Sequence, residues 1–369
     1  MKKGPNFIFL GKSELQARNA DMRISEQEAL DLFLKTPLDE LCAMANAKKE
    51  ARHGKNVFWV NNRQINYTNV CVLKCSFCSF SKIKKTDSNA YDWTLEEIIA
   101  KARAAVQSGA KELHIVGGLH PDHPFEYYLN MLATLRKKFT GVNLKAFTAV
   151  EICHFAKLAG RHVRDVLQDL KNAGLDALPG GGAELLGEEI RHKICGKKET
   201  GAEWLEVHKE AHLMGIPTNA TMLFGHIEKI EDRIEHMSLL RKLQDEAPGF
   251  FAFIPLVFHP ENNPLGHKVG HKASEEDVLR TIAVSRLFMD NFPHIKAYWI
   301  QTGIPTAMKA IHAGASDLDG TIMEEKITHA AGADTWVGMS PEKMRGLIQN
   351  EGLIPVERDA LYDVISVSP

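Results

Sequence analysis

From Arg63 onward the chain alternates short apolar runs with amphipathic stretches, and that rhythm is what most limits the folds open to it. Period-two or continuous apolar runs predict strands near 63–70, 112–117, 144–149, 175–178, 217–224, 250–258 and 295–300. Helical spacing predicts helices near 94–108, 125–139, 163–173, 203–214, 230–246, 274–290 and 304–312. Thr94 and Ser274 precede acidic first turns, and Gly109, Gly174 and Gly215 stand where C′ glycines close helices. Strands alternating with helices build a parallel sheet through right-handed crossovers. Six or seven such units predict a complete or nearly complete (β/α) TIM-type barrel, with an open doubly wound sheet as the alternative. The barrel is preferred because polar and glycine-rich stretches follow almost every strand, as they do at the mouth of a barrel.

The expected division is an N-terminal helical extension over 1–56, a barrel over 57–315 and a C-terminal extension over 316–369 packed on the barrel. Ser25-Glu-Gln-Glu is a capping box in the first part, and a short helix (342–350) and strand-like Leu353-Ile-Pro-Val belong to the last. Hydrophobic residues at 44% and charged residues at 25% describe a globular chain rather than a disordered one. A formal charge of −2 gives no electrostatic footprint for nucleic acid. The start, Met1 to Leu10, lacks the apolar core of a secretory leader. The longest apolar run, Phe250 to Phe258, is far short of the roughly 20 residues that cross a bilayer. Six cysteines in 369 residues make no disulfide framework, so a reducing cytoplasmic location is expected.

Three of those cysteines fall within eight residues, Cys71-Val-Leu-Lys-Cys75-Ser-Phe-Cys78. One short loop can curl three thiolates around one side of a small iron–sulfur cube, whose usual ligands are cysteines. No fourth cysteine lies nearby, so one metal would keep an open position, as catalytic metal sites do. A zinc loop is the alternative, but zinc sites usually add a second ligand pair, and none is visible.

The C-x3-C-x2-C spacing, with Phe77 before its last cysteine, resembles the radical S-adenosylmethionine (radical SAM) enzymes. The resemblance implies a [4Fe-4S] cluster on Cys71, Cys75 and Cys78, with SAM chelated at the open iron and cleaved to a 5′-deoxyadenosyl radical. It also implies a one-electron donor such as flavodoxin or ferredoxin, for which Lys82-Ile-Lys-Lys85 is a candidate landing patch or simply a solvated loop.

The strand ends supply the remaining candidates. Gly117 and Gly118 would let a ligand approach the backbone, or merely form a tight turn; the family's acid after the glycines is replaced by Leu119. Glu151 follows the third strand and could serve a ribose or sulfonium, or be a solvated first-turn helix acid. Gly180, Gly181 and Gly182 suit either close passage of a ligand or a flexible loop, and Glu184 beside them could bind the ribose or cap a helix. Asn219 and Thr221 share one face of the fifth strand. His226 and His259 follow the fifth and sixth strands, where either could be structural or belong to the site.

Asn66 to Cys71, His114 to Asp122, Pro179 to Glu184 and Thr218 to His226 narrow the likeness to the menaquinone and deazaflavin branch of the family. Lys145 to Ile152 and Phe253 to Asn262 look most like the aminofutalosine synthases; cyclic dehypoxanthine futalosine synthase and deazaflavin (FO) synthase are the alternatives. The likeness implies addition of the deoxyadenosyl radical to 3-[(1-carboxyvinyl)oxy]benzoate, giving 6-amino-6-deoxyfutalosine, methionine and CO2 or bicarbonate. SAM is then a co-substrate, and Phe77, Gly117, Gly118, Glu151, Glu184 and His226 would meet it. His259, Asn219 and Glu151 would act at the reacting end, with Arg63 a further candidate for the dicarboxylate. Cys153 and Cys195 are candidate hydrogen donors or buried structural thiols.

Overall fold

The computed structural model describes residues 23–336 and 338–368. Residues 1–22, with the Met1 to Leu10 start, lie outside the described residues. Two helices come first, α1 (Glu26–Lys35) and α2 (Leu38–His53), and the Ser25 capping box forms as expected. The strands are β1 (Asn56–Val60), β2 (Asn62–Ile65), β3 (Glu112–Ile115), β4 (Asn143–Ala146), β5 (Thr218–Phe224), β6 (Phe250–Val257), β7 (His294–Ile295), β8 (Asp317–Gly320), β9 (Ile354–Arg358) and β10 (Val364–Val367). Among the longer helices, α3 (Leu95–Gln107) follows β2, α4 (Phe125–Lys138) follows β3, and α5 (Ala149–Ala159) and α6 (Val163–Asn172) follow β4. Next come α7 (Glu188–Cys195), α8 (Gly201–Leu213), α9 (Ile230–Glu246), α10 (Pro264–Val269) and α11 (Glu275–Phe288). Short α12 (Trp299–Thr302) leads to α13 (Ile304–His312), and α14 (Ile327–Ala330) and α15 (Pro341–Asn350) close the series.

Three parallel ladders, β2-β3-β4, β5-β6-β7 and β1-β8, make the barrel wall. Single parallel bridges join them: Lys145 to Ala177, Leu178 to Thr218, Lys296 to Asp317, and Arg63 to Met323. The last of these returns to β2 and completes the ring. The barrel is therefore closed, and the open-sheet alternative falls away. Its wall includes Asp317–Gly320, beyond the boundary at 315 that the rhythm suggested.

Several strands are shorter than their apolar runs. β2 stops at Ile65, because residues 67–69 pair instead with 91–93: Trp93 N–H donates to the Tyr67 carbonyl (2.9 Å) and Asn69 N–H to that of Tyr91 (3.2 Å). β4 stops at Ala146, because Phe147 takes a positive φ of 59° and Thr148 caps α5. Residues 175–178 contribute only the two bridges, and β7 only two residues before α12. Outward side chains such as Leu113, Ile115, Leu144 and Ala146 are fully buried against the helices, so the main core lies between sheet and helical ring. No helix among the described residues is long and apolar enough to cross a membrane.

Candidate active site

At the C-terminal ends of the strands the barrel holds a cavity of about 340 Å³. Cys71, Cys75 and Cys78 line it together with Gly117, Gly118, Glu151, Glu184, Asn219 and His259. Residues separated by as many as 188 positions (259 − 71) thus meet at one site, as the strand-end argument anticipates. Phe77 lines the cavity too, with the Lys198 ammonium 5.9 Å from its ring centre.

The cysteine loop is anchored on several sides. Cys71 N–H donates to the Lys82 carbonyl (2.8 Å), Val72 N–H to that of Leu119 (3.0 Å) and Ser76 N–H to that of Ile194 at the end of α7 (3.1 Å). All three thiols are free. Burial pushes those of Cys71 and Cys75 above their ordinary pKa, so they stay protonated until a metal displaces the protons. Three free thiols on one loop, facing one cavity, fit a cysteine-ligated cluster. Cys195 packs against the same apolar cluster as Cys75 and Cys153 sits on α5; neither lines the cavity.

Packing by itself already requires glycine at these positions. A Cβ on Gly117 would stand 2.7 Å from the Tyr67 ring, and one on Gly118 would stand 2.3 Å from the Val70 carbonyl oxygen. Their N–H groups are used, Gly117 donating to Glu151 (3.1 Å) and Gly118 to the Thr68 carbonyl (2.9 Å). Among the described residues no hydrogen bond ends on either carbonyl, which leaves two acceptors at the cavity wall. Gly180 and Gly182 are equally enclosed: their Cβ atoms would meet the Asn219 carbonyl oxygen at 2.5 Å and Val150 Cγ2 at 2.2 Å.

Glu151 is neither solvated nor at a strand end. It is the N3 residue of α5 and is 1% exposed. Its carboxylate accepts from Tyr67 Oη (2.7 Å), Gly117 N (3.1 Å), Thr148 N (2.7 Å) and Thr148 Oγ1 (2.8 Å). Burial, outweighing these donors, raises its pKa to about 7. Glu184, at φ 48°, pairs with Lys198 (2.7 Å), which also donates to the Gly182 carbonyl (2.9 Å). Burial opposes the Lys198 charge, but Glu184 and Glu199 outweigh it and hold its pKa above the usual range.

Asn219 and Thr221 both face the cavity, as period-two geometry requires. Thr221 Oγ1 donates to the Gly180 carbonyl (2.7 Å), while the Asn219 amide has no protein partner among the described residues. His259 is buried and near the Gln301 carbonyl (Nε2 3.1 Å), and burial lowers its pKa. In that neutral ring Nε2 carries the proton, so Nδ1 offers an acceptor and not a donor.

Two expected residues are absent from the cavity. His226 spends Nε2 on the Leu223 carbonyl (3.2 Å) and Nδ1 on Ile227 N–H (2.8 Å), and it packs on Phe258. Arg63 is held by Glu324 at 2.5 Å. Reasoning from the sequence also missed three lining lysines, Lys145, Lys198 and Lys296. Lys145 and Lys296 stand in apolar surroundings, Leu144-Lys-Ala-Phe and His294-Ile-Lys-Ala, and a charge inside a parallel strand was the available signal. Outside the cavity, Asp92, His120 and His123 place their polar atoms within 4.8 Å of one another. Asp122 N–H donates to His120 Nδ1 (3.1 Å), so in the neutral ring the other nitrogen carries the proton and faces Asp92 (3.4 Å), which leaves His120 itself without a lone pair for a metal.

A model of the radical SAM superfamily matches residues 65–240, and one of the CofH/MqnC C-terminal region matches residues 247–368. The chain is 44% identical to an aminodeoxyfutalosine synthase of Thermus thermophilus, over 99% of this chain and 97% of that protein. It is 38% identical to an aminodeoxyfutalosine synthase of Streptomyces coelicolor, over 96% and 94% of the two chains. Identity is 41% to a 5-amino-6-(D-ribitylamino)uracil–L-tyrosine 4-hydroxyphenyl transferase of Archaeoglobus fulgidus, over 91% and 96%. Among solved structures, methylornithine synthase shares the fold with a TM-score of 0.71 at 17% identity, over 91% of this chain and 95% of that one.

Proposed function

The chain belongs to the radical SAM superfamily, and we propose that it is an aminodeoxyfutalosine synthase (the aminofutalosine synthase activity anticipated from its strand-end motifs). The net reaction joins the adenosyl part of SAM to 3-[(1-carboxyvinyl)oxy]benzoate, yielding 6-amino-6-deoxyfutalosine, methionine and CO2 or bicarbonate. The observation that carries this reading is the convergence of three free cysteines and the glycine strand end on one barrel cavity in a chain 44% identical over its length to such a synthase.

Cys71, Cys75 and Cys78 would hold a [4Fe-4S] cluster, leaving one iron for SAM. When bound, cluster and SAM supply a deoxyadenosyl radical at the cavity. The free carbonyls of Gly117 and Gly118 suit the ammonium of the methionine part, and Glu151 positions that strand end through its bond to Gly117 N–H. Glu184 and its partner Lys198 stand near the cysteines, where a ribose hydroxyl could share the carboxylate. Asn219, with an uncommitted amide, is placed to meet substrate, and His259 to accept a hydrogen bond from it. The closed wall would shield a carbon radical from water on every side but the mouth, which bound cluster and SAM would fill. Electrons would come from a flavodoxin or ferredoxin at the exposed side of the cysteine loop, where Lys84 and Lys85 lie; Lys85 is 3.4 Å from Asp122.

The test is anaerobic. Reconstituted enzyme with SAM, reductant and the enolpyruvyl benzoate should yield aminofutalosine and methionine by mass spectrometry. Cys75→Ala should lose cluster iron and all adduct. Adduct with tyrosine and the ribitylaminouracil, but none with the benzoate, would move the assignment to the hydroxyphenyl transferases. Intact SAM over a full, reduced cluster would overturn the radical reading.

A further inference from the structure

We propose that the floor of the cavity is a carboxylate-binding pole, in which Lys145 and Lys296 hold the ring carboxylate of the substrate. This rests on the function proposed above and fixes which way the substrate lies. Register sets the height: Gln64, His114 and Lys145 form one row across β2, β3 and β4. Gly117 lies three residues beyond His114, just past the end of β3, and so nearer the mouth by up to about 10 Å at the usual strand rise. The cysteine loop follows β2 on the same side. Lys296, bridged to Asp317, joins the floor from the opposite wall.

Both ammonium groups are almost fully enclosed, with side chains 3% and 1% exposed. Each is steadied by one carboxylate, Lys145 by Glu112 (2.7 Å) and Lys296 by Asp319 (2.9 Å). An ammonium has three donors, and among the described residues each of these uses one. Four N–H groups are therefore left beside a cavity that both residues line. Asp319 reaches its place with a backbone φ of 70°, a left-handed conformation that aspartate tolerates better than most residues.

The other basic side chains at or near the cavity are placed differently; His114, in the same floor row, turns Nδ1 toward Glu112 at 3.8 Å and adds at most one further donor to this pole. Lys198 is committed to Glu184 and Gly182 at the cysteine end, His259 offers an acceptor, and Arg63 is outside with Glu324. The substrate carries two carboxylates separated by a benzene ring. The enolpyruvyl carbon must face the cysteines, so the ring carboxylate, which survives in the product, points to the floor. Ile254 and Leu256 on β6 line the cavity between and offer apolar surface to the ring.

The experiment compares 3-[(1-carboxyvinyl)oxy]benzoate with its analogue lacking the ring carboxylate, 2-phenoxyacrylate. Wild-type enzyme should prefer the benzoate in kcat/KM by at least about tenfold, the worth of a charged hydrogen bond. In Lys145→Met and Lys296→Met that ratio should fall toward one, mostly through KM. Because each leaves a buried carboxylate unpaired, the paired variants Lys145→Met with Glu112→Gln and Lys296→Met with Asp319→Asn are measured alongside and should show the same loss. Calorimetric titration of the reconstituted enzyme with the benzoate, SAM present and reductant omitted, should show binding weakened at least tenfold in the variants. A wild type that makes the adduct without discriminating, or variants that discriminate and bind as wild type does, would overturn the assignment. A wild type that makes no adduct from the benzoate would instead sink the function on which it rests.

Discussion

At the scale of single residues, Glu151 concentrates the most chemistry in the least space. A carboxylate with four donors and no cation beside it keeps a pKa of about 7, because burial disfavours its charge more than the donors support it. The folded protein then holds a proton that the unfolded chain, at the ordinary glutamate value of 4.5, has given up. The resulting stability is present below pH 4.5 and is lost as pH rises through about 7, a change of roughly 3 kcal/mol. Thermal melts of ligand-free protein across that window should fall more steeply for wild type than for Glu151→Gln; parallel curves would contradict the shift. Gly118→Ala should cost roughly 1–3 kcal/mol in urea unfolding, since its Cβ would press on the Val70 carbonyl. Gly141→Ala, whose Cβ meets nothing within 4 Å, is the control that should hardly move. The presence of cysteines, glycines and Glu151 at the site was legible because a barrel gathers its strand ends. Which atoms remained free was not, because that depends on neighbours distant in sequence such as Tyr67 and Gln301.

Elements tell a similar story with a different cause. Helices with a hydroxyl cap and an acid three residues on, Thr94 with Glu97 and Thr200 with Glu203, form where their residues say they should. Thr94→Ala should cost about 1 kcal/mol of unfolding free energy in denaturant titration. Thr148→Ala should cost more, since its hydroxyl both caps α5 and donates to the Glu151 carboxylate that holds Gly117. If the two variants cost the same, that second role is not supported. The start of helix α5 carries the same spacing in Thr148 and Glu151, but Leu144 to Val150 also reads as a strand, and nothing local signals that Phe147 adopts positive φ. Residues 175–178 misled in the same way, apolar enough for a strand yet making only single bridges.

Across the whole molecule, the last described strands flank the ring that the Arg63–Met323 bridge completes. β9 pairs in parallel with β1 over five residues, from Asn56 with Ile354 to Val60 with Arg358, and β10 adds an antiparallel edge. Arg358 and Asp317, both fully buried, join across 2.7 Å. Removing one partner strands a charge, so Arg358→Met should cost roughly 3–5 kcal/mol in equilibrium unfolding. Replacing both, Arg358→Met with Asp317→Asn, should recover part of that loss; no recovery would mean the arginine acts through packing on Tyr362, 4.0 Å from its ring centre, rather than through charge. The sequence rhythm revealed the barrel but set its end too early, because the Asp317–Gly320 strand is short and rich in acids.

The pairing of β1 with β9 also orders events in time. A strand that begins at Asn56 keeps one edge bare until residue 358 has been made, about 300 positions later (358 − 56 = 302). During synthesis the emerging chain can complete its ring once Met323 is made, with β1 already paired to β8 on one side, yet the other edge of β1 stays bare until β9 follows. Ribosome-bound chains stopped before Ile354 should be cut by protease near β1, and released full-length chains should resist.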